Sequence, residues 1–99
     1  MWKQEIINAG RLKVKKPVIV KFEYLGKGKF ISAKSSCGCS IPEWKENGIE
    51  VVYTPDNISY HLVNKGITEY DSVKYITVIM IENSMQKNYN LQVQSKVYE

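Results

Sequence analysis

Ninety-nine residues, 43% of them hydrophobic and 24% charged, are too few for two domains and too apolar for a disordered chain. No run approaches the roughly eighteen apolar residues that a membrane-crossing helix needs, and no repeat is visible. The net charge of +4 is uneven: residues 1 to 36 carry nine Lys or Arg against two acids, and residues 37 to 99 carry five Lys against eight acids.

The chain opens Met1-Trp2-Lys3-Gln4-Glu5-Ile6-Ile7-Asn8-Ala9-Gly10. This stretch has one Lys but neither a continuous apolar segment nor a small-residue cleavage site, so synthesis and retention in a cytoplasm are expected. Thiols there stay reduced by default. The first seventeen residues read two ways, as an edge strand split between Ile6-Ile7 and Leu12-Val14, or as an arm ordered by a neighbour.

From Val18 onward, period-two alternation dominates. Val18, Val20, Phe22 and Tyr24 alternate with Ile19, Lys21 and Glu23, and Pro17 sits at the strand entrance, where a missing N–H does no harm. Gly26-Lys27-Gly28 reads as a turn into a second strand over Phe30 to Lys34, which predicts a hairpin. Beyond Ser36-Cys37-Gly38-Cys39, the run Ile41-Pro42-Glu43-Trp44 leads to a turn at Glu46-Asn47-Gly48. Ile49, Val51 and Tyr53 share one face of the next strand, and Ile58, Tyr60 and Leu62 repeat its pattern. Val73 to Ile81 is apolar on both parities and reads as a central strand covered on each side. Glu82-Asn83-Ser84 and Lys87-Asn88 bracket a connection, after which Leu91, Val93 and Val97 form a half-exposed closing strand. No stretch has helical periodicity. The expectation is an all-β protein: a single domain, 1–99, folded as an immunoglobulin-like antiparallel β-sandwich of about seven strands, with 1–16 as an edge strand or arm.

Cys37 and Cys39 are the only cysteines. Metal binding needs three or four ligands, and only His61 is available to join them from the N/S set. Redox exchange usually uses two intervening residues beside a helix N-terminus, which lowers the thiol pKa. A structural reading remains, in which small half-buried sulfurs and a flexible Gly38 let the chain leave a strand tightly at the sandwich end. No metal or other cofactor is therefore expected. His61, on a polar parity without a visible nucleophile or acid partner, reads as a surface residue, and no catalytic residue is assigned. Gly26-Lys27-Gly28-Lys29 is too short for a phosphate-cradling loop and lacks a following helix.

A Phe-centred strand (Val20, Phe22), a Gly-containing turn (Gly28, Phe30), Ser36-Cys37-Gly38-Cys39, then Gly48, Ile49, Val51 and Tyr53, and later Tyr75 with Ile76 to Ile81, form an ordered set. In this the chain resembles the bacterial and phage Ig-like domains of unknown function that carry a Ser-Cys-Gly-Cys signature. Those domains are similar in fold to the Hydin-type and major sperm protein sandwiches. The resemblance covers roughly Pro17 to Asn83 and implies a sandwich fold with no catalytic residues to carry over.

The functional expectation is a non-enzymatic structural or interaction protein whose partner is a larger protein assembly. Its most concrete form is an auxiliary, decoration component of a bacteriophage capsid, docked on the major capsid protein within a virion. Trp2 and Tyr98 lie off the inward parities and, with Lys13, Lys15 and Lys16, are the expected partner contacts. Association between copies through edge strands is a further expectation. Two alternatives belong to other classes: a bacterial thiol-redox factor using Cys37 and Cys39, and a basic nucleic-acid-binding module using Lys13, Lys15, Lys16, Lys27 and Lys29. Binding to nucleic acid is disfavoured because Phe22 and Tyr24 share the inward parity and cannot offer a stacking surface.

Overall fold

A computed structural model describes the whole chain, Met1 to Glu99. Seven strands and one short helix follow in order: β1 (Ile6–Lys13), β2 (Val18–Glu23), β3 (Lys29–Ser35), β4 (Ser40–Trp44), β5 (Gly48–Tyr53), α1 (Tyr60–Asn64), β6 (Glu69–Glu82) and β7 (Met85–Tyr98). They form two sheets, β1-β7-β6-β3 and β2-β5-β4. The third, sixth and seventh strands share one sheet and the second, fifth and fourth the other, as strands C, F, G and B, E, D do in immunoglobulin domains. The first strand joins the sheet of the third, sixth and seventh. The first strand lies parallel to the last, from Ile6↔Gln92 to Lys13↔Tyr98. All other pairings are antiparallel.

Alternate residues from both sheets meet in the core. Phe22, Ile49, Val51 and Tyr53 from the small sheet face Ile76, Val78, Met80, Leu91 and Val93 from the large one, all fully buried. Burial of apolar area on this scale drives the fold. The Tyr53 hydroxyl lies 3.0 Å from Ser72 Oγ, whereas the hydroxyl of Ser95, the cross-strand neighbour of Ser72, is buried without a hydrogen-bond partner.

The first strand is an edge strand, and a bulge explains why its sequence looked split. The pairing register with β7 shifts between Asn8 and Arg11, where Gly10 takes φ +76° and donates its N–H to Asn8 Oδ1 at 2.8 Å. The extra residue moves the inward parity from Ile7 and Ala9 to Leu12.

Four expectations are corrected. The second and third strands do not form a hairpin, because they belong to opposite sheets. Gly26 and Gly28 are absent from the positive-φ residues. Glycine is required there because the loop folds over Tyr24, whose hydroxyl oxygen would lie 2.5 Å from a Cβ at either position. The Ile58–Leu62 segment is not a strand; Ser59 C=O accepts from Leu62 and Val63 N–H and the turn becomes α1, closed by Gly66 at φ +77°. The central strand β6 is covered on one face only, leaving Val73 and Tyr75 exposed on the other. The last connection is tighter than expected. Asn83 and Ser84, at φ 51° and 63°, make a two-residue turn whose left-handed pair matches the twist of the flanking strands.

That turn joins two fourteen-residue strands paired along their full length, Glu69↔Tyr98 to Glu82↔Met85. At the usual rise, this ribbon is roughly 45 Å long and sets the long axis of a molecule measuring 53 × 18 × 16 Å. Tyr70, at the start of β6, donates its hydroxyl to the Asp56 C=O at 2.9 Å. It ties the β5–β6 connection to the sheet at the corner where immunoglobulin domains use a tyrosine.

Candidate interaction surface

The Ser-Cys-Gly-Cys segment carries the chain from one sheet to the other. Ser36 holds the start through two bonds to β6: its N–H donates to the Tyr75 C=O at 2.9 Å, and its Oγ accepts from Tyr75 N–H at 3.1 Å. Cys39 holds the end, its C=O accepting from Thr54 N–H at 2.9 Å. Cys37 and Cys39 are joined in a disulfide with Cα atoms 5.4 Å apart, a redox state that the sequence leaves open. Both are half-buried. Gly38 is exposed with open space around its Cα. His61 is exposed on α1.

The expected contact residues separate. Trp2 is only 6% exposed and is therefore part of the core, not of a docking surface. Its residue bridges Tyr24, and its ring lies 5.0 Å from Tyr24, 6.0 Å from Tyr89 and 6.4 Å from Trp44. Trp44 in turn stacks on Phe30 at 5.0 Å. No sequence pattern signals this, because Trp2 precedes any alternating run. Lys13, at the end of β1, and Lys15 and Lys16, in the turn after it, are exposed and close together in the chain. Tyr98 joins them as the cross-strand partner of Lys13, half-buried beneath the Arg11 guanidinium, 4.8 Å from the ring centroid. Tyr89 and Tyr98 are nine residues apart on β7, so the Trp2 cluster and the basic turn lie roughly 30 Å apart.

At the aromatic end, the Glu82 carboxylate accepts hydrogen bonds from the hydroxyls of Tyr24 and Tyr89, and the Met1 amino group lies 3.4 Å away. These bonds, Tyr24 first and Tyr89 second, hold the Glu82 carboxyl below its usual value. In return, the bond to Glu82 and burial push Tyr89 up to about 12. Burial, followed by the same carboxylate, raises Tyr24. The three groups satisfy one another and fasten the β6–β7 turn to the loop after β2.

A surface that the sequence reading passed over lies on the outer face of the small sheet. Ile19 pairs with Val52, and Val52 with Ile41, so the three side chains form one cross-strand row. They are 66%, 37% and 64% exposed. The signal was present as Val18-Ile19-Val20 and Val51-Val52, where apolar residues occupy both parities. Beside this row, the sandwich is open between β1 and β2. A cleft of about 330 Å³ there is lined by Ile7, Leu12, Val18, Ile19 and Val20. A larger hollow of about 470 Å³ lies over the bulge of β1, among Asn8, Arg11, Asp71 and Lys96. Its cations are already engaged, Arg11 with Glu69 at 3.4 Å and Lys96 with Glu69 and Asp71 at 3.7 and 3.9 Å.

No helix is long and apolar enough to cross a membrane, and no group of three or more His, Cys, Asp or Glu side chains is placed to hold a metal ion. No family model, curated protein or solved structure matches the chain.

Proposed function

We propose that this protein is a non-enzymatic, immunoglobulin-like interaction module that docks on a larger protein assembly. The observation that carries the reading is the exposed row of Ile19, Val52 and Ile41 on the small sheet. Contiguous apolar side chains on an ordered sheet face lose little entropy on docking and gain roughly 25 cal/mol per Å² of apolar area covered. The titratable groups with displaced pKa values support the same reading. Tyr24, Glu82 and Tyr89 are bonded to each other, and Tyr70 to backbone, so each is used by the fold.

The most concrete form of this reading is a decoration component of a bacteriophage capsid, docked on the major capsid protein. It rests on fold-level analogy with phage-borne Ig-like domains. The test is purification of the native assembly followed by a search for this chain in it. Recovery with virions, lost in Ile41→Lys, supports the reading; absence from virions removes the capsid form of it. Retention of Ile41→Lys in whatever assembly holds the chain removes the row as the docking surface.

A further inference from the structure

We infer that the cleft between β1 and β2 receives an extended segment of a partner protein, apolar on its inward side and acidic on its outward side, which adds as a strand to the free edge of β2. The inference rests on the reading of the molecule as an interaction module and gives that partner a chemistry.

The argument begins with the backbone. One edge of β2 pairs with β5. On the other edge, the only neighbour is the opening of the chain: Lys3 N–H donates to Glu23 C=O at 2.9 Å, and Leu25 N–H donates to Met1 C=O at 2.7 Å. This edge therefore already accepts an antiparallel strand, at the Trp2↔Tyr24 bridge. The chain then leaves it, and Ile6 begins β1 on the opposite sheet. From Val18 to Phe22, no strand lies beside this second edge of β2. Antiparallel pairing repeats every two residues, so the outward N–H and C=O groups that follow from Glu23 belong to Lys21 and Ile19. A segment of about five residues continuing the line of Met1–Lys3 would pair with both.

The side chains specify what that segment carries. Its inward positions meet the cleft floor of Ile7, Leu12, Val18 and Val20, which asks for Val, Ile or Leu. Its outward positions meet cations. Residues 6 to 22 contain Arg11, Lys13, Lys15, Lys16 and Lys21, and no carboxylate. Of these, only Arg11 is in an ion pair. Lys21 lines the cleft itself but is engaged, its ammonium donating to the Lys45 C=O and its cross-strand neighbour being Glu50. Lys15 and Lys16 stand exposed in the turn that closes one end of the cleft. Strand addition then draws affinity from main-chain bonds and selectivity from the alternating side chains, while Lys13, Lys15 and Lys16, exposed and outside any ion pair, steer acidic partners.

The probe is a capped nine-residue peptide of alternating Val and Glu, titrated against the full chain with amide hydrogen exchange as readout. Saturable binding, slowed exchange at Ile19 and Lys21, and affinity falling about tenfold from low to high salt are expected. The same peptide with Lys for Glu should not bind, and one N-methylated at alternate residues should lose the protection. Lys15→Glu with Lys16→Glu, both on exposed side chains that leave the core intact, should exchange the preference toward the Lys peptide. Binding without protection of the β2 edge overturns the inference. So does protection of that edge by a second copy alone, or preference for a single-stranded oligonucleotide. If no peptide protects the edge while Ile41→Lys still releases the chain from its assembly, the cleft assignment fails and the docking face stands. If the peptide binds as described and Ile41→Lys has no effect, the reverse holds.

Discussion

Glu82 is the side chain on which most polar contacts converge. Its folded pKa lies below the unfolded value near 4.5, so its contribution is fully present above that value and is lost as pH falls through the folded one. Glu82→Gln keeps the shape but removes the charge from two tyrosine hydrogen bonds, and should cost about 2 kcal/mol at neutral pH. The gap between wild type and variant should narrow as pH falls below that unfolded value, as measured by urea unfolding at neutral and acid pH. Tyr89 acts at the other end of the scale. Raised from 10 to about 12, it contributes below pH 10 and loses that contribution as pH climbs to about 12. Gly48 depends on space instead of charge. A Cβ there would collide with the Phe22 carbonyl oxygen across the β2–β5 ladder, and backbone cannot swing aside. Gly48→Ala should therefore cost about 1–3 kcal/mol, seen as a lower Tm.

At the scale of elements, the sequence was most legible where one parity was apolar and the other polar. The inward set Val20, Phe22, Ile49, Val51, Tyr53, Leu91, Val93 and Val97 is buried as that alternation requires. It failed where a local irregularity changed the parity or where two elements share a pattern. The bulge at Gly10 hides one strand as two fragments, and a single helical turn, Tyr60–Asn64, presents the same Ile58, Tyr60 and Leu62 spacing as a short strand. Turn residues marked where the chain reverses but not whether it returns to the same sheet. That is why Gly26-Lys27-Gly28 read as a hairpin and not as a crossing. The cysteine segment was legible as a tight exit, though not as a bonded pair. Its closed loop is so short that it removes little freedom from the unfolded chain. Replacing both cysteines, Cys37→Ser with Cys39→Ser, should cost no more than about 1.5 kcal/mol. The bonds of Ser36 to Tyr75 and of Thr54 to Cys39 still hold the crossing; thermal unfolding with and without reductant is the check.

On the scale of the whole molecule, three regions divide the work. The aromatic end, with Trp2 against Tyr24 and Trp44, is structural. The basic end holds Lys13, Lys15 and Lys16, and the small sheet between the two ends presents its apolar row. The exposure of Lys13, Lys15 and Lys16 was legible in the sequence, because exposure of charged residues near a turn follows from their type, whereas burial of Trp2 depends on where a distant hairpin ends. Ile41→Lys, on a side chain 64% exposed, should leave Tm within about 3 °C while abolishing the proposed association with a larger assembly, read by co-sedimentation.

The parallel pairing of the first and last strands has a mechanical consequence. Tension drawing the Ile6 end of β1 away from the Tyr98 end of β7 runs along the strands, so the pairs from Ile6↔Gln92 to Lys13↔Tyr98 are loaded together in shear. They cannot be peeled apart singly, as a hairpin can. A body gripped at those two points resists stretching up to a sharp rupture force.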